Sequence, residues 1–356
     1  MSTEPKYMHI VRYIKDRIAE EALKPRDLLP QESELMAEFG VSSITVRKAM
    51  ETMVREGIVY RVRGKGTYVS PSKDEPAMAD EPARRVYLIF DVEARLDTSL
   101  SRIVQGIQRY YKHKKCLLAL ENYAFCEEYL QAGRHQQDDA GLILYINSSD
   151  DDKKARHLRK LGEAGVKFVC IDRFLGNFPI NYVGCNNHDA VYAAVEHLAS
   201  HRHQRIAFLY EKPEISSEKE RYKGYVHAMR DLGLGNLLPA PHSVNDIEKC
   251  VEDVQNGVTA VVCANDYTAS LLVEALKNAG LEVPRDVSVV GFDDSETYRY
   301  HQPTLTTLRQ DFHALGYESA RVLDKLMTGA SGGYTRIYIP AQLLVRESSG
   351  DNPKAE

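Results

Sequence analysis

At 356 residues the chain holds two to three domains at about 100–200 residues each, and an apolar share of 43% beside 27% charged residues excludes a disordered chain. No apolar run approaches the roughly 18 residues of a membrane span, the opening MSTEPKYMHIVRYIKDR has no signal-peptide core, and six scattered cysteines without a C-x-x-C pattern read as reduced thiols, so a cytoplasmic protein is expected. A formal net charge of −5 excludes a uniformly basic nucleic-acid coat, yet residues 1–70 carry 12 Lys and Arg against 10 Asp and Glu, leaving −7 for the remainder.

The front segment reads as three helices and a hairpin. Residues 7–22 place Ile10, Ile14 and Ile18 at helical spacing, and Lys24-Pro25-Arg26-Asp27 ends that helix. A second helix over 31–39 is closed by Gly40, a candidate left-handed cap. Ser42 is a candidate N-cap for a third, with Val41 and Val46 as a hydrophobic staple. Val46, Ala49, Met50 and Met53 then face inward, and Ser43, Arg47 and Lys48 face outward. Two short helices around a glycine turn form a helix-turn-helix, whose second helix fits the DNA major groove. After Gly57 a hairpin is expected over 58–69, with Arg61, Arg63 and Lys65 around a glycine-rich tip suited to a phosphate backbone. Its GKGT lacks the upstream glycine and following helix of a P-loop.

PQESELMAEFGVSSITVRKAMETMVREGIVYRVRGKGTYV resembles the GntR-type winged helix-turn-helix over about residues 6–70. The resemblance implies DNA contacts at Ser33, Ser42, Ser43, Thr45, Arg47, Arg63 and Gly64, with Lys65 beside them at the hairpin tip. Lys6 resembles the N-terminal lysine that touches DNA in the arabinose-repressor branch. Ser43 stands where the family usually has Arg, the residue of the commonest bidentate guanine contact, so the family's operator consensus does not transfer.

Residues 71–84 hold three prolines and several acids without periodicity, which reads as a solvated linker. From residue 85, strands at 86–91, 116–120, 141–146, 167–172, 206–210, 260–263 and 287–290 alternate with helices near 99–113, 127–135 and 149–164. Such alternation implies a parallel sheet covered on both faces, long enough here for two doubly wound lobes. No G-x-G-x-x-G opens a helix, so no dinucleotide site is expected. Asp172, Asn265-Asp266 and Asp293-Asp294 fall at strand carboxyl ends, where ligands bind in such sheets.

The segments IDR (171–173), RYKGY (221–225), AVVCANDYTA (260–269), VPRDVSVVGFDD (283–294), PTLTTLRQD (303–311) and LVRESS (344–349) are similar to the LacI/GalR effector domain over about residues 85–349. That family has a periplasmic-binding-protein fold of two lobes with an effector cleft between them. The resemblance implies effector contacts at Asp172, Arg221, Asn265 and Asp293, and paired donors and acceptors of this kind suit adjacent sugar hydroxyls. Asn265 also reads as a turn residue and Arg221 as a surface ion pair. Phe174, Tyr267 and Phe292 adjoin these positions as stacking candidates. Arg202 replaces the family's usual glycine at a helix end, and Asn186-Asn187 its usual Asp-Asn pair.

No catalytic constellation assembles: HLASH lacks the glutamate of H-E-x-x-H, and there is no G-x-S-x-G elbow. The expectation is a cytoplasmic, non-enzymatic repressor without metal or cofactor. The combined resemblance is to the arabinose-repressor subfamily of GntR proteins. It implies a homodimer on an inverted-repeat operator, released by a sugar effector, with L-arabinose or another pentose first to test. The alternative is a sugar-binding or sugar-processing protein whose front domain serves assembly.

Overall fold

The computed structural model describes residues 5–20, 22–24, 27–62, 66–70, 83–90, 98–133, 140–145, 151–174, 179–300, 302–330, 333–352 and 354–355. The chain divides into two compact units, Met1–Glu81 and Pro82–Glu356.

The first unit packs α1 (Lys6–Ala19), α2 (Glu32–Phe39) and α3 (Ser43–Arg55) beside an antiparallel hairpin of β1 (Val59–Val62) and β2 (Gly66–Val69). Ile10, Val11 and Ile14 of α1 meet Leu35, Val46, Ala49, Met50 and Met53 in one buried cluster, as helical periodicity requires. A reciprocal box opens α2: Gln31 donates its N–H to the Glu34 carboxylate at 2.8 Å, while its own side chain accepts from the Glu34 N–H. Gly40 closes α2 at φ 58°, the expected left-handed cap. Ser42 occupies the N-cap of α3 but makes no cap bond to the backbone; its hydroxyl instead meets the Thr45 hydroxyl at 3.1 Å. Residues 27–29, read from sequence as part of a connection, pair with β2 through Leu29 N–H to Thr67 O (2.8 Å) and Val69 N–H to Asp27 O (3.0 Å).

The second unit runs β3 (Arg84–Phe90), α4 (Thr98–Tyr110), β4 (Cys116–Glu121), α5 (Phe125–Gln131), β5 (Ala140–Tyr145), α6 (Asp151–Glu163), β6 (Phe168–Ile171), β7 (Tyr182–Cys185), α7 (Asn187–Ser200), β8 (Ile206–Tyr210), α8 (Ser216–Asp231), β9 (His242–Ser243), α9 (Ile247–Gln255), β10 (Ala260–Cys263), α10 (Asp266–Asn278), β11 (Ser288–Asp293), β12 (Thr306–Arg309), α11 (Phe312–Met327), β13 (Arg336–Ile339) and β14 (Gln342–Leu344). Two six-stranded sheets result, ordered β13-β7-β6-β5-β3-β4 and β14-β12-β11-β10-β8-β9. Every described strand pair within these two sheets is parallel except β12 with β14. Each sheet is sandwiched by two apolar clusters, so its central strands are buried on both faces and read as unbroken apolar runs. The chain crosses between the lobes three times, from β7 to α7, β12 to α11 and β13 to β14.

Both edges of the sensor extend beyond the sequence reading. Arg84, assigned there to the linker, already belongs to β3 and lies 3.4 Å from Asp324 of α11. At the other end, Gly350 O meets His203 Nε2 at 3.0 Å, and Asn352 donates to the carbonyls of His201 and Arg202.

Candidate nucleic-acid interface and effector cleft

In the first unit Lys6, Ser33, Ser42 and Arg47 are exposed, and Ser43 and Thr45 half-buried. The inward stripe of α3 turns its opposite side outward, and Ile44 stands there 76% exposed, an apolar residue the sequence reading passed over. Glu32 lies 3.3 Å from Arg47 and 4.0 Å from Arg61, which gathers two of the candidate cations against one acid. Exposed pairs of this kind are weak, about 0–1 kcal/mol, and a phosphate competes with them readily. Lys48 lies 4.7 Å over the Tyr7 ring. Arg63, Gly64 and Lys65 lie outside the described residues.

In the second unit Arg221 is buried, which corrects the surface-pair reading. Its Nε donates to Asn187 Oδ1 (2.8 Å), its Nη1 to Ala264 O (2.5 Å), and its Nη2 lies 3.7 Å from Asp293 Oδ1. Its guanidinium covers the Phe292 ring at 3.6 Å. Phe292 is thereby closed off as core and offers no stacking face. Phe174 packs edge-on against Tyr182 and Tyr267 tilts against Tyr298. Gln310, from the β12–α11 crossover, donates to Asp293 Oδ1 at 2.7 Å.

Asp172 follows β6 in the other lobe. It is buried at φ 69°; its Oδ2 lies 3.5 Å from Arg173 Nε, and its Oδ1 is a buried acceptor without a hydrogen-bond partner among the described residues. Burial pushes the Cys185 thiol up to about 12; Arg221 pulls it down, and Asp172 and Asp293 push it up. One crossover residue therefore feels charges from both lobes. Asn265 caps α10: its Oδ1 accepts from the Thr268 N–H and hydroxyl, both at 2.8 Å, and its Nδ2 donates to Glu211 Oε2 at 2.6 Å. The turn-residue alternative thus describes its structural work. Two further contacts span the lobes: Arg102 Nη2 to Glu296 Oε1 (2.7 Å), and Phe174 N–H to Ser216 Oγ (3.1 Å).

Asp266, placed from sequence at a strand carboxyl end, was given no effector contact. It is buried, accepts from the Thr307 hydroxyl (2.6 Å) and the Ser295 N–H (2.8 Å), and desolvation with Asp293 nearby raises its carboxyl to about 7. Asn187, Glu211 and Gln310 were also missed as partners of the cleft residues. Of the histidines at 197, 201 and 203, His203 is buried between Thr259 Oγ1 and Gly350 O, both at 3.0 Å, and His197 meets Ser349 Oγ at 3.1 Å. They secure the C-terminal segment. No helix among the described residues is long and apolar enough to cross a membrane.

Residues 6–69 match the bacterial regulatory proteins of the gntR family, and residues 195–349 match the periplasmic binding protein-like domain. The chain is a GntR-type DNA-binding domain joined to a periplasmic-binding-protein-like effector domain. The arabinose metabolism transcriptional repressor of Halalkalibacterium halodurans is 25% identical to this regulator over 98% of the present chain and 97% of its own. That of Geobacillus stearothermophilus is 26% identical over 98% of both chains. The transcriptional regulator MalR of Streptomyces coelicolor is 30% identical over 59% of this chain and 64% of its own. Among solved structures, a CelR–cellobiose complex superposes at a TM-score of 0.64 with 24% identity, covering 87% of this chain and 92% of its own. A ribose-bound LacI-family regulator of Enterococcus faecium gives 0.60 with 22% identity, over 75% and 99%. These likenesses establish the two-lobed fold.

Proposed function

We propose that this regulator is a repressor of carbohydrate-utilisation genes that leaves an inverted-repeat operator when a sugar enters the cleft. The observation that carries the reading is the set of strand-end charges on the two lobes. Arg221 and Asp293 lie 3.7 Å apart on one lobe, and on the other Asp172 keeps a buried acceptor oxygen unmet, as a polyhydroxyl ligand requires. Resemblance over nearly the whole chain to two arabinose repressors supports L-arabinose or another pentose as the effector. The candidate DNA contacts are Lys6, Ser33, Ser42, Ser43, Thr45 and Arg47, with Arg63, Gly64 and Lys65 at the hairpin tip. Ile44 joins them as an apolar contact for a thymine methyl group. A symmetric dimer would set two such faces on a palindrome. The chain acts by binding and requires no cofactor. The test is an electrophoretic shift on its own promoter with pentoses and hexoses titrated in. A pentose should release the operator, and Arg47→Ala should weaken binding and flatten its salt dependence. DNA affinity indifferent to every sugar, or to Arg47→Ala, would refute the reading.

A further inference from the structure

Where α7 and α8 pack together, two histidines meet face to face. The helices cross so tightly that a Cβ on Gly224 of α8 would stand 2.2 Å from His188 O of α7. His227 follows Gly224 by about one helical turn, and this sets its ring beside that of His188. Nε2 of His188 and Nδ1 of His227 are 2.8 Å apart, with ring centroids separated by 5.0 Å. The other nitrogen of His188, Nδ1, meets Asp189 Oδ1 at 2.8 Å. An ionised carboxylate only accepts, so Nδ1 carries the hydrogen, and in the neutral ring the lone pair sits on Nε2, facing His227. Tyr192, a turn along α7, stacks on the His188 ring and is itself held by its hydroxyl donating to Asp231 Oδ2 at 3.2 Å. His227 is exposed and His188 half-buried, so the pair is reachable from solvent. The two histidines stand 39 residues apart in the chain and match no ligand spacing, which is why the sequence reading expected no metal.

We propose that His188 Nε2 and His227 Nδ1 together bind a divalent transition-metal ion, nickel(II) or copper(II), with Asp189 orienting His188 from behind. An outer carboxylate of this kind fixes the tautomer of a ligating imidazole and raises its basicity. On coordination His227 carries its hydrogen on Nε2 instead of Nδ1, so both ligating nitrogens offer lone pairs. Two nitrogens about 2.0–2.1 Å from an ion lie about 2.9 Å apart at a right angle and about 3.4 Å apart at the tetrahedral angle. The observed 2.8 Å therefore suits tetragonal nickel or copper better than tetrahedral zinc. No third His, Cys, Asp or Glu completes the set among the described residues, so water takes the remaining positions. The bound ion staples α7 to α8, the helices whose Asn187 and Arg221 are bonded at 2.8 Å. The binding itself is independent of the regulatory reading above.

Isothermal titration calorimetry of the untagged full-length protein with NiCl2, CuCl2 and ZnCl2 tests it. The double variant His188→Gln/His227→Gln keeps the other ten of the twelve histidines and serves as the blank. Nickel and copper should each bind the native protein at one ion per chain above that blank, copper more tightly than nickel, and zinc more weakly than either. Each single variant should lose the extra ion; His227 is exposed, so His227→Gln leaves the fold intact. Asp189→Asn keeps both ligands and should weaken nickel binding about tenfold. Nickel should raise the thermal unfolding midpoint of the native protein and leave that of the double variant unmoved. Electron paramagnetic resonance of the copper complex should show two coupled nitrogens. The proposal falls if the native protein binds no more ion than the double variant, if both single variants bind like the native protein, or if zinc binds more tightly than nickel.

Discussion

Four described residues other than glycine hold a positive φ: Asp172 at 69°, Arg202 at 63°, Asp293 at 111° and Asp294 at 52°. Three of them end strands at the cleft, where backbone strain aims carboxylates in directions a relaxed strand would not. Arg202 is different: it closes α7, where its side chain has no positional duty in the sheet, and an L-residue there costs about 1–2 kcal/mol. Arg202→Gly should therefore stabilise the protein by about 1 kcal/mol in urea unfolding, with the carbonyl contact to Asn352 retained. Asp266 sets a pH dependence of opposite sense to an ordinary ion pair. The unfolded chain releases this proton near pH 4 and the folded protein only near pH 7, so stability falls as pH rises between those values and levels off above them. Asp266→Asn should remove that slope from thermal unfolding recorded across the window. Burial lowers the His203 pKa from 6.5, and the unfolded chain protonates first on acidification. Stability from this group is therefore lost as pH falls below about 6.5.

At the scale of elements, α4 and α11 approach so closely that two glycines are obligatory. A Cβ on Gly106 would stand 2.0 Å from His313 O, and one on Gly316 2.1 Å from Ile103 O. Both obstacles are backbone atoms that cannot swing aside, so Gly106→Ala should cost about 3 kcal/mol, read by chemical denaturation. Neither glycine is distinguishable in sequence from a merely tolerated one. Strands were far more legible: residues 206–210 and 260–263 form β8 and β10 as expected, because continuous apolar runs bounded by polar residues admit few other solutions. The inward face of α3 followed equally from its period. β13 and β14 escaped notice because their residues lie half-exposed at the crossovers and lack that apolar signature. In the cleft, Asp172, Arg221 and Asp293 stood out through motifs, whereas Asn187, Glu211 and Gln310 resemble ordinary strand-end polar residues until their partners are known. Ser42 shows the converse, since a favourable capping residue need not use its hydroxyl for capping.

For the whole molecule, three crossings between lobes mean that a ligand gripping both sides acts on the hinge rather than on one rigid body. If sugar weakens operator affinity by some factor, operator DNA must weaken sugar affinity by the same factor; calorimetry with and without DNA checks this equality. A mechanical route is visible within the sensor. Gln310 holds Asp293, the next residue, Asp311, caps α11 by accepting from Ala314 N–H, and three turns along the helix Asp324 meets Arg84, Lys114 and Tyr110. Asp324→Asn should keep L-arabinose affinity within about twofold while raising the sugar concentration needed to free the operator. Arg84 begins β3, where the polypeptide arrives from the front unit. A stiff rod of 16 residues, roughly 24 Å at 1.5 Å per residue, thus has its forward tip on the ligand chamber and its trailing part clasping the incoming thread. Tilting that tiller by a few degrees displaces its far end by an ångström or more, so a slight adjustment of one aspartate at the forward tip is felt where β3 begins.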